Sequence, residues 1–222
     1  YPLRRQRQMC IRDSLLSLQK ESLFRKMYNF RIIGIDPGAT IGVCIIDSGR
    51  IVSAFEISSQ DLWIRLTNFL LKEHLIVAVE DIKPYSLPLT PQVIDTCKWI
   101  GEAVYRLKNS VGCEVEMVSR FQVKKWCFDS FPDVCLPLIN EKIDKGVLKG
   151  KYISKKNGDK RPASFHFVDD RIVRKCMTKL WDLPTGKQGR KSAFGLKSHS
   201  FQALAVASFL LHSKENPSGK VT

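Results

Sequence analysis

One apolar run that stops at a single carboxylate constrains this chain most. The segment RIIGIDPGATIGVCIID, Arg31 to Asp47, breaks at Asp36, where Pro37 and Gly38 follow directly. The break predicts a turn between two buried strands. An acid before Pro-Gly is common in turns. Asp36 by itself therefore leaves a structural and a functional role equally open.

The rest of the chain alternates strand and helix patterns. Strands are predicted at Phe30–Asp36, Gly42–Asp47, Arg50–Ile57, Leu75–Glu80 and Cys113–Ser119. Helices are predicted at Asp61–His74, Thr90–Leu107, Arg120–Phe128, Asp169–Trp181 and Ser198–Leu211. The predicted order thus begins with three strands of antiparallel type. A helix, a strand, a second helix, a further strand and more helices follow, and this order is typical of an α/β protein.

Charge favours a polyanionic partner. The chain of 222 residues has a formal net charge of +14. Residues 141–197 hold 16 basic and six acidic side chains, a net charge of +10. Within them, about 141–165 reads as a basic insertion or loop. A nucleic acid suits this pattern better than a solvated basic face.

Other classes of protein are disfavoured. No apolar run approaches the roughly 18 residues of a membrane span, and no secretory signal is evident. We therefore expect a cytoplasmic protein with no membrane partner. The seven cysteines form no CxxC pair, which predicts buried free thiols rather than disulfides or a zinc site.

A second strand-ending acid makes a functional role for Asp36 more attractive. Glu80 ends the apolar run LIVAVE. Adjacent strands lie about 4.8 Å apart, and carboxylates that meet there favour a hard cation such as Mg²⁺. Two such ions can cleave a phosphodiester. Asp81 is expected on the opposite face. Asp169 and Asp170 are expected to act as helix-start acids, with metal contact the less favoured alternative.

Three segments, taken in order, resemble the RuvC group of Holliday-junction resolvases. They are GIDPGATIGV, VAVEDIKP and SHSFQALAVA. The resemblance covers residues 30 to about 211, and TCKWIGE with KSHSFQALAVA is most similar to phage-type members. It implies an α/β, ribonuclease-H-like fold with a mixed five-stranded sheet flanked by helices. It further implies a Mg²⁺-dependent endonuclease (Mn²⁺ possible, two ions), a homodimer, branched DNA as substrate, and a phage-encoded protein of the bacterial cytoplasm.

The same resemblance assigns the site. Asp36 matches the first-strand metal ligand, and Glu80 matches the fourth-strand acid. His199 stands where the family has an acid or a histidine, and completes the catalytic set of Asp36, Glu80 and His199. Gln202 stands where many resolvases have a final Asp, and is expected to join these three around the metal. The last helix therefore departs from the family by carrying neither acid.

DNA contacts are expected in loops flanking the site. Tyr85 is placed either to stack on an unpaired base or to pack as a half-buried loop aromatic. Lysines and arginines there would bind phosphates. These candidates are Lys149, Lys151, Lys155, Lys156, Lys160, Arg161, Lys187, Arg190 and Lys191.

Residues 1–26 contain MCIRDS, which resembles a translated sequencing-transposon end. We therefore expect a non-native or disordered leader followed by a nuclease domain at 27–222.

Alternative functions stay open. A catalytically weak or inactive protein of this fold would bind structured nucleic acid. A ribonuclease H would act on RNA–DNA hybrids. An actin- or hexokinase-like ATPase half is disfavoured, because that fold needs a second Gly-rich phosphate loop and a far longer chain.

Overall fold

A five-stranded sheet forms the centre of the molecule. The computed structural model describes residues 30–70, 74–82, 90–144, 164–184 and 195–215, with side chains of the third range described to residue 141. The strands are β1 (Arg31–Asp36), β2 (Ile41–Asp47), β3 (Arg50–Ile57), β4 (Leu75–Asp81) and β5 (Glu114–Ser119). They match the predicted strands almost residue for residue. The predicted leader at 1–26 lies outside the described residues.

The sheet is mixed because two short connections are followed by two long ones that contain helices. Its strand order is β3-β2-β1-β4-β5. β1, β2 and β3 pair antiparallel, whereas β4 runs parallel to β1 and β5. Ser48 and Gly49 join β2 to β3 with φ of 50° and 72°, the left-handed pair that a two-residue hairpin favours. Parallel neighbours instead need a crossover of a dozen or more residues.

Helices cover both sides of the sheet. They are α1 (Leu62–Leu70), α2 (Pro91–Arg106), α3 (Arg120–Ser130), α4 (Pro132–Asp144), α5 (Asp170–Leu180) and α6 (Ser198–Glu215). Several begin at side-chain caps. Thr90 caps α2, Ser119 forms a capping box with Gln122 on α3, and Asp169 caps α5. No helix in these described ranges is long and apolar enough to cross a membrane.

Three details differ from the sequence expectations. The helix after β3 is described only to Leu70, and His74 has a φ of 58°, so that residue is a turn rather than a helix end. The helix α4 was not predicted. Both ends of the segment 141–165, predicted as a loop, are regular: α4 continues to Asp144, and a 3₁₀ turn begins at Phe165. Phe165 also packs on the core.

Alternating residues of each strand build two separate cores. On one face, Ile32, Cys44 and Ala78 pack with α6 and with the helices α3 to α5. On the other face, Ile33 and Val77 pack with the apolar sides of α1 and α2. This division follows from the two-residue repeat of a strand.

Two glycines let α6 lie almost directly on the sheet. A Cβ on Gly34 would stand 2.1 Å from the carbonyl oxygen of Ala203, and one on Gly42 would stand 2.2 Å from the carbonyl group of His199. The small side chain of Ala207 lies in the same contact. This close approach brings the first turn of α6 to the end of β1.

The described cysteines are free thiols, as the sequence predicts, and four of them are buried. The Sγ atoms of Cys135 and Cys176 lie 3.7 Å apart. The hydrogen bond with Cys176, together with burial, raises the pKa of Cys135. These thiols therefore pack as small apolar groups at neutral pH.

Candidate active site

A single row of residues crosses the sheet on the face that α6 covers. Asp36 pairs with Gly42, and Gly42 pairs with Glu56. On the other side, Ile35 pairs with Val79, so the next residues, Asp36 and Glu80, are neighbours. Three acids from three strands therefore share one line. The glycine between two of them leaves room for α6.

Asp36 and Glu80 are buried in direct contact. Their exposed fractions are 5% and 3%, and their carboxyl groups share a hydrogen bond. Burial, with the nearby Asp36 charge, raises the pKa of Glu80 to about 8. Burial also raises the pKa of Asp36, although the hydrogen bond from Glu80 opposes that rise. Near neutral pH the shared proton therefore lies on Glu80, which donates to Asp36.

His199 contacts the other side of Asp36. Its Nδ1 lies 2.9 Å from Asp36 Oδ2, and its side chain is 45% exposed. The backbone N–H of His199 donates to Glu56 Oε1 at 2.7 Å. That N–H belongs to the first turn of α6, where backbone donors have no partner within the helix. Glu56 thus fixes the start of α6 while α6 presents the imidazole to Asp36.

Gln202 lies one turn further along α6. It is 8% exposed, and three residues separate it from His199, so both belong to one side of the helix. An amide oxygen can ligate a hard cation, although it brings no charge. Its assignment as a metal ligand stays a prediction.

Arg120 and Asp170 are the residues that sequence reasoning underestimated. Arg120 Nη1 donates to Glu80 Oε1 at 3.3 Å, and Nη2 lies 2.7 Å from Asp170 Oδ1. Asp170 lies in the first turn of α5, as expected of a helix-start acid, and its ion pair with Arg120 is the part that was not predicted. Asp169 Oδ1 accepts the N–H of Ile172 at 3.0 Å. One signal for Arg120 existed: it directly follows β5, whose carboxyl end lies at the same edge as that of β4.

Glu56 was also missed, and its signal was weaker. It lies near the end of β3 and carries the only side chain of the row that comes from an antiparallel edge strand. The alternation of side chains along a strand is enough to place Glu56 on the same face of the sheet as Asp36. Its charge contributes to the raised pKa of Asp36, after burial and the Asp170 charge.

Comparisons with known proteins agree with this architecture. No family model matches the chain, and no curated protein matches it. Thermus thermophilus RuvC in complex with a Holliday junction substrate is similar over 84% of this chain and 95% of that one, with 14% identity and a TM-score of 0.52. A second T. thermophilus RuvC structure covers 85% and 97%, with 16% identity and a TM-score of 0.49. The yeast mitochondrial Holliday junction resolvase Ydc2 covers 87% and 90%, with 13% identity and a TM-score of 0.34.

The first of these structures and the mixed sheet decide the fold. The chain has the ribonuclease-H-like fold. Similarity at this level of identity shows the fold and no more. The fold class predicted from the sequence is confirmed.

Within this ribonuclease-H-like fold, the Asp36–Glu80 pair suits a divalent cation. Ionising both groups would put two negative charges in contact away from water, which a cation with oxygen ligands would relieve. Across the described ranges, no three His, Cys, Asp or Glu side chains form a group that could hold a metal ion. The two carboxylates fit the role. The predicted completion of the metal shell by His199 and Gln202 stays a prediction.

The predicted DNA-contact residues lie outside the described residues. They are Tyr85, Lys149, Lys151, Lys155, Lys156, Lys160, Arg161, Lys187, Arg190 and Lys191. Their assignment therefore rests on the sequence alone.

Proposed function

We propose that this protein is a divalent-metal-dependent endonuclease that cleaves branched DNA such as four-way junctions. The observation that carries the proposal is the contact between the buried Asp36 and Glu80, with His199 hydrogen-bonded to Asp36. Two acids buried in contact with each other suit a divalent cation, because the cation relieves the repulsion between their charges.

Asp36 and Glu80 would hold the metal, and the amide oxygen of Gln202, on α6, would join them. When bound, Mg²⁺ or Mn²⁺ supplies a Lewis acid for the phosphodiester and lowers the pKa of water. Gln202 contributes no charge. We therefore expect weaker metal binding than an acid at that position would give.

His199 is placed to move a proton. When Asp36 is ionised, His199 Nδ1–H donates to Asp36 Oδ2, which leaves Nε2 as the acceptor of the neutral ring. The imidazole is 45% exposed, so the attacking water can reach it. Asp36 thus orients the base, and His199 accepts the proton as the water attacks.

The proposed substrate follows from charge and from the relative. The net charge of +14 suits a branched, phosphate-rich partner, and one structural relative is described in complex with a Holliday junction substrate. The basic candidates of 149–161 and 187–191 would bind phosphates, and Tyr85 would stack on an unpaired base. A homodimer would match the twofold symmetry of a junction. Phage origin and the bacterial cytoplasm are carried over from the resemblance.

One observation favours a second candidate, a protein that binds branched DNA without cutting it. The last helix carries His199 and Gln202 instead of acids, and the Arg120 guanidinium already contacts Glu80. A site with only two carboxylates binds metal less tightly. This candidate predicts salt-sensitive binding with no cleavage.

The test uses a labelled four-way junction, a linear duplex and an RNA–DNA hybrid, each with Mg²⁺, Mn²⁺ or EDTA. We expect paired nicks in the junction with either metal, and loss of cleavage in Asp36→Asn. Asp95→Asn is the matched control, because Asp95 is 75% exposed on α2, on the opposite side of the sheet. Full cleavage by Asp36→Asn would contradict the proposal. Binding without cleavage would favour the second candidate, and preferential cutting of the hybrid would favour a ribonuclease H.

A further inference from the structure

Arg120 is a positively charged residue inside an otherwise acidic site. Asp36, Glu80, Glu56 and Asp170 all lie close enough to influence the pKa of Asp36 or of Glu80. Arg120 contacts two of these acids, Glu80 at 3.3 Å and Asp170 at 2.7 Å. It therefore joins an acid of the sheet to an acid of α5.

The two contacts differ in character. The Glu80 side chain is 4% exposed, whereas the Asp170 side chain is 54% exposed and the Arg120 side chain is 41% exposed. The shorter bond is the one to the exposed acid. Glu80 has a second partner in Asp36. Asp170 thus fixes the guanidinium at the rim of the site, and the Glu80 contact is the longer and more replaceable of the two.

A purely structural role explains this arrangement less well. An exposed pair such as Arg120–Asp170 contributes about 0–1 kcal/mol to stability. The start of α3 is already fixed by the capping box of Ser119 and Gln122. A guanidinium has five N–H donors, and Glu80 and Asp170 are the partners that the described residues supply.

We propose that Arg120 binds the scissile phosphate of the DNA and that Asp170 positions it. This inference rests on the proposed function, in which Glu80 holds the cation beside that phosphate. The Glu80 bond of Arg120 is then exchanged for a phosphate oxygen, whereas the Asp170 bond is kept. A planar guanidinium can contact a carboxylate and a phosphate together, since its donors point in fixed, separate directions.

The test measures binding of a four-way junction in Ca²⁺, which is expected to support binding without cleavage. Single linkages near the branch point are replaced one at a time by neutral methylphosphonates. Arg120→Ala is expected to weaken binding of the ordinary junction by about 10-fold. When the linkage that Arg120 contacts is the neutral one, Arg120→Ala is expected to have almost no further effect on binding. Asp170→Asn should give a smaller loss at that same linkage.

Two variants serve as controls. Arg106→Ala removes an arginine that is 48% exposed and paired with Glu102 on α2. Its effect on binding should be the same whichever linkage is neutral. Arg120→Lys keeps the charge without the fork geometry, so it should restore part of the coupling. It also keeps the test decisive if Arg120→Ala folds poorly. In Mg²⁺, the coupled linkage should be the one that is cut, and Arg120→Ala should cut it about 10²-fold more slowly.

The outcomes separate this inference from the proposed function. If Arg120→Ala and the neutral linkages act additively at every position, Arg120 does not bind a phosphate, whether or not the protein cleaves DNA. A wild-type rate of cleavage by Arg120→Ala would also overturn the inference. If coupling is present but the wild type cuts nothing in Mg²⁺ or Mn²⁺, the phosphate contact stands and the proposed function fails.

Discussion

The two faces of the sheet are built from the same strands and differ in chemistry. Toward α1 and α2, the strands bury an apolar cluster, and the partly buried ion pair Arg31–Asp47 lies beside α1. Toward α6, the same strands place Asp36, Glu80 and two glycines among the apolar residues. Val79 and Glu80 are consecutive and both buried, yet one packs in a core and the other faces Asp36.

Adjacent residues of one strand therefore have different roles, one in stabilising the sheet and the other in forming the site. Because strand side chains alternate between faces, a change on one face leaves the other nearly untouched. The α1/α2 face can hold the sheet by burial alone. The α6 face can then tolerate buried acids, whose cost the rest of the sheet offsets.

The largest contrast should come from neighbouring residues of β4. Glu80→Gln is expected to lower the cleavage rate by at least about 10³-fold, because the cation loses a charged ligand, with the free energy of unfolding unchanged or raised. Val79→Ala is expected to lose about 2 kcal/mol of stability by cavity formation, with cleavage retained. Denaturant unfolding and single-turnover cleavage of both variants measure this. Equal losses of activity would mean that the two faces are not independent.

A pair of glycines tests how closely α6 must approach. In Gly42→Ala, the added Cβ would stand 2.2 Å from the carbonyl group of His199. The helix must shift, so we expect a loss of about 2–3 kcal/mol together with the loss of cleavage. Gly101, within α2 on the other side, has nothing within 4 Å of an added Cβ, so Gly101→Ala should stabilise the protein by about 0.5–1 kcal/mol. Thermal unfolding compares them, and a tolerated Gly42→Ala would contradict the packing argument.

The pH dependence of stability should arise from the α6 face. Burial raises the pKa of Glu80 from 4.5 to about 8. A carboxyl with a higher pKa in the folded than in the unfolded chain binds its proton more tightly when folded. Its contribution to stability is therefore fully present below pH 4.5 and is lost progressively as the pH rises through about 8. Unfolding in EDTA at several pH values should show this slope, and Glu80→Gln should flatten it. An unchanged slope in Glu80→Gln would mean that other groups cause the pH dependence of stability.

The smallest expected effect concerns Glu56, at the margin of the row. Glu56→Ala removes the acceptor for the His199 N–H and should cost about 1 kcal/mol, as the loss of a helix cap does. It should also lower the pKa of Asp36, because the Glu56 charge helps to raise it. Glu56→Gln keeps an acceptor oxygen and should keep most of the stability. It removes the charge, so the pKa of Asp36 should still be lowered. Denaturant unfolding of the two variants checks the first effect, and identical stabilities would show that the cap is unimportant.

Local sequence patterns predict the strands and the two acids near the carboxyl ends of β1 and β4. Strand periodicity and turn residues are local signals, and they operate within a few residues. Asp36 and Glu80 were found because each ends an apolar run. Parallel neighbours end at the same edge, so their proximity followed from the strand order.

The polar partners of those acids come from distant parts of the chain and meet them only in the folded protein. Arg120 and Glu80 are 40 residues apart, and His199 and Glu56 are 143 apart. An arginine at the start of a helix, or a glutamate at the end of an edge strand, has the same local pattern whether it faces solvent or a buried acid. Asp169 and Asp170 show this directly, since one caps α5 and the other binds Arg120. Their separate roles depend on how α3, α5 and α6 pack over the sheet, and that packing is set by the whole core rather than by any one segment.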